Sequence, residues 1–216
     1  MVQQVCAYDP TVFDVVSMQE AMAIILTPED DGFDTGRRWT EETAYLAPLI
    51  QSKFSLTSES LILDYGCGVG RLSKALIELT GCSVVGVDIS ANMRTFANRY
   101  VNSPRFTAMS PEMLSILVRK HLLLFDEAIS IWVLQHCAKV EEDISLIRRS
   151  LGLGGRLFVL NELGRCVPTN RGWVHDGKDT RSTLDAQFSL QCEGKLPHNV
   201  ASEALSKRTY WGAYST

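Results

Sequence analysis

Asp64, Gly66, Gly68 and Gly70 occupy alternate positions in Leu61-Ile-Leu-Asp-Tyr-Gly-Cys-Gly-Val-Gly-Arg71, and Asp88 closes the later run Val84-Val-Gly-Val-Asp88. Physically, an apolar strand enters a glycine turn, a helix leaves it, and a second apolar strand ends in a carboxylate. Alternate glycines remove the Cβ atoms that would hold a ligand away from the backbone. A helix starting there aims unpaired N–H groups and the positive end of its dipole into the same crevice. A carboxylate about 20 residues after the turn is placed to reach both hydroxyls of a ribose. The implied chemistry is capture of a nucleoside-containing cofactor. A dinucleotide fits poorly, because G-x-G-x-x-G needs a glycine where Arg71 stands, and Asp64 would repel a pyrophosphate. The same acid suits an ammonium or a sulfonium.

The stretch resembles the cofactor signature of class I S-adenosylmethionine-dependent methyltransferases. The resemblance continues through Ile89-Ser-Ala-Asn-Met93, through Phe125-Asp126 leading into Ile129-Ser-Ile-Trp-Val-Leu-Gln-His136, and through Leu151-Gly-Leu-Gly-Gly-Arg-Leu-Phe-Val159. It implies that S-adenosyl-L-methionine binds and S-adenosyl-L-homocysteine leaves. By the same resemblance, Gly66, Cys67 and Gly68 would cradle the methionine part with Asp64 at its amino end. Asp88 would take the ribose hydroxyls, Ile89 and Met93 the adenine face, and Ile131 and Trp132 the space beside the transferred methyl. Where the family commonly carries an acid after the third strand, this chain has Met109-Ser110. The adenine contact then falls to these residues, the backbone and Glu112. An idle cofactor-binding module or an activator subunit of a partner enzyme is the alternative within the family, and a nicotinamide-dependent oxidoreductase the alternative outside it.

Methyl transfer from a sulfonium needs alignment of acceptor, methyl and sulfur more than it needs acid–base help. A base matters only where the acceptor carries a proton. His136 follows the fourth strand and titrates near neutral pH, which makes it the candidate base, with a helix-start role as the alternative. Asn161 and Glu162, just past the fifth strand, could hold or deprotonate the acceptor, since ligands collect outside the carboxyl ends of parallel strands. Trp39 and His175 are further candidate substrate contacts. The family's N-P-P-Y tetrad is replaced by Ile131-Trp132-Val133-Leu134, and no Pro-Cys pair signals cytosine chemistry. No metal-ligand cluster is visible, so nothing calls for a metal. The acceptor is unidentified: a small molecule is favoured, a protein group comes next and RNA last.

These residues need a scaffold. Apolar residues at i, i+3, i+4 and i+7 (Leu72, Ala75, Leu76, Leu79; Met93, Phe96, Ala97, Tyr100) alternate with runs expected to be strands near 61–65, 83–87, 105–108, 126–133 and 156–160. Ser110-Pro111-Glu112 is a helix start. Such alternation demands right-handed crossovers and a parallel sheet covered on both faces. Two more strands are expected near 186–193 and 204–214. The fold class is α/β: a Rossmann-like, doubly wound seven-stranded sheet, mostly parallel with one antiparallel strand as the resemblance implies, and helices on both faces. Residues 58–216 would form this domain. Residues 1–57 would add a helical cap contributing to the substrate site, with helices over 13–26 and from Thr40, a polar loop over 29–36, and Pro48 disturbing the second helix. The polar stretch 163–185 breaks the alternation and is expected to be a substrate lid or a mobile linker.

At 216 residues the chain supports one substantial domain. A formal charge of −4 argues against a general affinity for phosphate backbones, with Arg37-Arg38 and Arg148-Arg149 as the paired arginines. No apolar run is long enough to span a bilayer, and no signal-peptide pattern opens the chain. The six scattered cysteines suggest reduced thiols in the cytoplasm.

Overall fold

The computed structural model describes residues 6–29 and 32–216. The amino-terminal five residues, and Asp30 and Asp31 of the 29–36 loop, lie outside the described residues. Seven strands form one sheet: β1 (Leu61–Tyr65), β2 (Ser83–Val87), β3 (Phe106–Met109), β4 (Phe125–Ile131), β5 (Leu151–Glu162), β8 (Ser189–Gly194) and β9 (Thr209–Ser215). Their order is β3-β2-β1-β4-β5-β9-β8. The first five pair in parallel, and β9 runs antiparallel to both β5 and β8. One strand of seven is therefore reversed.

β1 shows why the sheet sits where it does. Ile62 belongs to one apolar cluster and Leu63 and Tyr65 to another, so alternate side chains are buried on opposite faces. On the Ile62 face lie α2 (Thr35–Phe54), α3 (Arg71–Thr80), α4 (Ala91–Val101) and the short α8 (Glu203–Arg208). The other face is covered by α5 (Pro111–Arg119), α6 (Val140–Ser150) and α7 (Thr180–Asp185). A third cluster joins Val15 and Ala21, from and beside α1 (Met18–Ile25), to Val69 and Met93 above the glycine turn.

Three local expectations change. The first helix covers only Met18–Ile25, capped by Ser17, while Pro10–Phe13 forms a separate 3₁₀ turn. The second starts at Thr35, where Asp34 accepts the Arg37 N–H, so Trp39 lies inside the helix. Pro48 is tolerated within it: proline forfeits one backbone bond, and Leu46, Ile50 and Phe54 are buried around it. The segment 204–208 is helix, since Ser202 caps the Leu205 N–H, and the last strand starts only at Thr209.

The stretch 163–185 is not structureless. It forms a hairpin of β6 (Val167–Thr169) and β7 (Gly172–Val174), followed by α7. Arg165, 2% exposed, fastens it: its guanidinium donates to the Leu134 and Cys137 carbonyls and pairs with Asp176. The hairpin holds the amino-terminal segment in turn, through Asp9 N–H to the Pro168 carbonyl and Asn170 N–H to the Ala7 carbonyl.

Candidate active site

A cavity of about 780 Å3 opens at the carboxyl ends of β1, β2, β4 and β5, within the range of roughly 300–1,000 Å3 for sites that take drug-sized ligands. Its floor is the glycine turn. Gly66 (φ +81°) and Gly68 (φ +53°) sit in the left-handed region. A Cβ on Gly66 would collide with the Val133 side chain, and one on Gly68 would meet Ile25 at 2.6 Å, so both positions favour glycine. The N–H groups of the turn are spent inside the protein: Gly66 and Cys67 donate to the Val87 carbonyl, and Gly68 donates to Asp88. Asp88 accepts Gly68 N–H on one oxygen and Ser90 N–H on the other, both at 2.9 Å. The carboxylate is thereby held fixed, with one further lone pair per oxygen for a ligand.

Asp64 is 3% exposed, lines the cavity and accepts the Ser73 hydroxyl at 2.6 Å. Burial pushes its carboxyl up to about 6, against the opposing pull of Ser73 and Arg71. Cys67 also lines the cavity, its thiol pushed well up by burial. Ile89, 48% exposed, and Met93 complete this end. Met109 and Ser110 do not line it. Ser110 caps α5, accepting the Met113 N–H, and Pro111 and Glu112 face the cavity in their place.

At the β4 end, Ile131 and Trp132 line the wall. Trp132 holds φ +64°, costly for a bulky non-glycine residue. Its ring N–H donates to Glu42 at 2.8 Å, and its backbone N–H donates to the Leu160 carbonyl. Glu42, fully buried, also accepts Arg71 at 2.7 Å and Arg38 at 3.3 Å, while Arg38 pairs with Glu29 at 2.7 Å. Arg38 and Arg71 both line the cavity, and the buried Nε of Arg71 has no hydrogen-bond partner. The paired arginines Arg37 and Arg38 do not share one environment. The structure buries Arg38 and leaves Arg37 outside on Glu41.

His136 lies in the cavity between Phe13 and Trp173. Its Nδ1 is 2.6 Å from the Cys166 carbonyl, which can only accept, so Nδ1 carries the proton. Nε2 then accepts from Gln135 Nε2 at 3.2 Å. Burial moves the imidazole below its ordinary value, which keeps it neutral. Gln135 also accepts the Glu162 N–H at 2.6 Å. Glu162 lines the cavity, its half-buried carboxylate 3.5 Å from Arg208.

The structure does not bring the remaining candidates here. Asn161 is wholly buried on the opposite face of β5, with neither side-chain polar atom bonded. Trp39 packs edge-on against Tyr100 and under Arg71, anchoring α2 to α3 and α4. His175 is exposed and outside the cavity lining. Sequence reasoning also missed a cluster in the wall, where Tyr65 donates to Asp143 at 2.5 Å beside Cys137 and Tyr8. Burial raises the Asp143 carboxyl and pushes Tyr8 up to about 12. Among the described residues no acidic, histidine and cysteine side chains gather as a metal site, and no helix is long and apolar enough to cross a membrane.

The family model described as "Methyltransferase domain" matches residues 63–159, from β1 to β5. N-demethylindolmycin N-methyltransferase of Streptomyces griseus is 33% identical over 125 residues, covering 56% of this chain and 52% of that protein. The sterol 24-C-methyltransferase of Saccharomyces cerevisiae is 27% identical over 111 residues, covering 50% of this chain and 28% of that one. The match thus spans about half or less of each relative's length. Among solved structures, the magnesium protoporphyrin IX methyltransferase of Synechocystis, crystallised with S-adenosylhomocysteine, aligns at a TM-score of 0.63 with 18% identity, covering 91% of this chain and 93% of that one.

Proposed function

We propose that the chain, which a methyltransferase-domain model matches over residues 63–159, transfers a methyl group from S-adenosylmethionine to a small-molecule acceptor. One observation carries this reading. One cavity is lined by Gly68 and Asp88, to which we give the cofactor, by Ile131 and Trp132, and by Phe13, His136, Glu162 and Trp173. A cofactor on the first group leaves the last for an acceptor. The names of the two curated relatives, one acting on N-demethylindolmycin and one on a sterol, support a small molecule over a macromolecule.

The residues present fit the cofactor. Asp88 offers free lone pairs on both oxygens to the ribose hydroxyls, Asp64 offers a carboxylate to the amino group, and Ile89 and Met93 offer apolar contact to adenine. Bound there, the cofactor supplies an electrophilic methyl, which an acceptor lone pair takes as the C–S electron pair passes to sulfur. The chain supplies position and, for a protonated acceptor, a base. Both ring nitrogens of His136 are engaged, whereas Glu162 faces the cavity with only a 3.5 Å ion pair. We assign the proton to Glu162, and to His136 the shaping of the wall. A cytoplasmic setting suits the six free cysteines.

Calorimetry with S-adenosylhomocysteine and with NAD tests the reading. The first should bind and the second should not, and at 100 times its Kd it should add about 2.7 kcal/mol of stability. Protection by NAD alone would overturn it.

A further inference from the structure

We infer that the acceptor is an aliphatic amine that carries an aromatic ring, seated with its ring against Trp173 and its nitrogen toward Glu162. The inference rests on the methyl-transfer reading and adds the chemical class of the acceptor.

The first observation is the wall. His136 and Trp173 meet with ring centroids 5.1 Å apart at 62°, Phe13 and Trp173 at 6.1 Å and 75°, and Phe13 and His136 at 6.3 Å and 49°. Phe13 and Trp173 come from two separate chain segments, which backbone bonds to the β6–β7 hairpin hold together. Trp173 lines the cavity while 47% of its surface stays exposed, so it has apolar surface left for a ligand ring to cover.

The second observation is charge. Each cationic side chain lining the cavity already has a carboxylate: Arg38 has Glu29 and Glu42, Arg71 has Glu42, Lys139 has Glu142, and Arg208 has Glu162. Asp64, Asp88, Glu112 and Asp143 also line it, with no ion-pair partner among the described residues. A carboxylate or phosphate acceptor would have to break an existing pair and sit in an acidic field. An ammonium meets neither obstacle.

The third is continuity. Gln135 links the Glu162 backbone to the His136 ring, so the chain position of Glu162 is tied to the aromatic wall. An amine bound as its ammonium passes a proton to Glu162. Its freed lone pair then forms the N–CH3 bond while the C–S bond breaks toward sulfur, and Glu162 returns the proton to water.

The test uses the whole chain saturated with S-adenosylhomocysteine, and calorimetry with tryptamine and indole-3-acetate, which share a ring and differ in charge. Tryptamine should bind and indole-3-acetate should not. Trp173→Ala and Glu162→Gln should each weaken tryptamine at least tenfold while the affinity for S-adenosylhomocysteine stays within twofold. Equal or tighter binding of indole-3-acetate, no binding of tryptamine, or unchanged tryptamine affinity in both variants would overturn the arylalkylamine assignment and leave methyl transfer standing. Failure of S-adenosylhomocysteine to bind would instead remove the methyl-transfer reading, and this inference with it.

Discussion

Glu42→Gln isolates the charge that holds the amino-terminal helices onto the cofactor domain. Glu42 is 0% exposed and serves three donors, from Arg38, Arg71 and the Trp132 ring. The amide keeps an acceptor for Trp132 and removes the negative charge. Glu29, Arg38, Glu42 and Arg71 form a neutral quartet, and the substitution leaves two guanidiniums facing one carboxylate. Arg38 retains Glu29 at 2.7 Å, so the uncompensated cation is Arg71, itself 4% exposed. Removing one partner of a buried pair typically costs about 3–5 kcal/mol. At about 2–4 °C per kcal/mol for a domain this size, the melting temperature should fall by roughly 6–20 °C. Glu41→Gln is the matched control, because its pair with Arg37 is about 40% exposed on both sides and should cost under about 1 kcal/mol. Urea unfolding followed by circular dichroism reads both. A Glu42→Gln variant within about 1 kcal/mol of its parent would refute the claim that this quartet is a compensated buried unit.

Asp64 gives a pH prediction. Its carboxyl is raised by burial from 3.8 to about 6, so between those values the folded state holds more protons than the unfolded one, and stability falls as pH rises, by about 3 kcal/mol in total. Asp64→Asn should remove that slope in urea titrations, and a parent curve flat over this window would count against it. If Asp64 meets the cofactor's ammonium, affinity for S-adenosylhomocysteine should also tighten from pH 5 to pH 7, whereas pH-independent binding would deny the contact. Asp88→Ala should weaken S-adenosylhomocysteine at least tenfold, at about 1.5–3 kcal/mol per charge-assisted bond, and also lower stability because Gly68 and Ser90 N–H lose their acceptor. Unchanged affinity in calorimetry would take Asp88 out of the site. Finally, with an acceptor in hand, Glu162→Gln should cost about 10²–10⁴ in turnover and His136→Phe less than about tenfold. The reverse order would hand the proton back to His136.

The parts of the fold that were legible were those where one local rule suffices. Alternating strands and helices, with glycines at 66, 68 and 70, imply a parallel sheet and a ligand turn because each signal lies within a dozen residues. The Asp88 position follows from the second apolar run, which ends about 20 residues beyond the turn. Ser110 is the helix cap that its place before proline-glutamate implies, and that local bond turns its hydroxyl to the Met113 N–H. Asn161 and Glu162 looked equivalent from sequence. Strand pleating sends neighbours to opposite faces, so only one of them could reach the cavity.

The buried quartet left a sequence trace that went unread. Arg38 and Glu42 continue, at four-residue intervals, the stripe of Leu46, Ile50 and Phe54 that faces the core. Charges of opposite sign set into an apolar stripe are more economically explained as paired inside than as solvated. Such a helix does more than cover the sheet. Through Glu42 it reaches Arg71 at the start of α3 and Trp132 at the end of β4, the two sides of the cavity mouth. Trp132 is held at φ +64°, a conformation that persists only where its surroundings over-determine it. Glu42 is the partner that does so from the amino-terminal side. The ring beside the expected methyl position is therefore set by α2, an element with no cofactor motif of its own. The acceptor wall is built the same way, with Phe13 and Trp173 brought to His136 from segments about 120 and about 40 residues away. Cofactor binding is written in short contiguous motifs because one turn can do it. Acceptor recognition is assembled from distant segments, and only their packing reveals it.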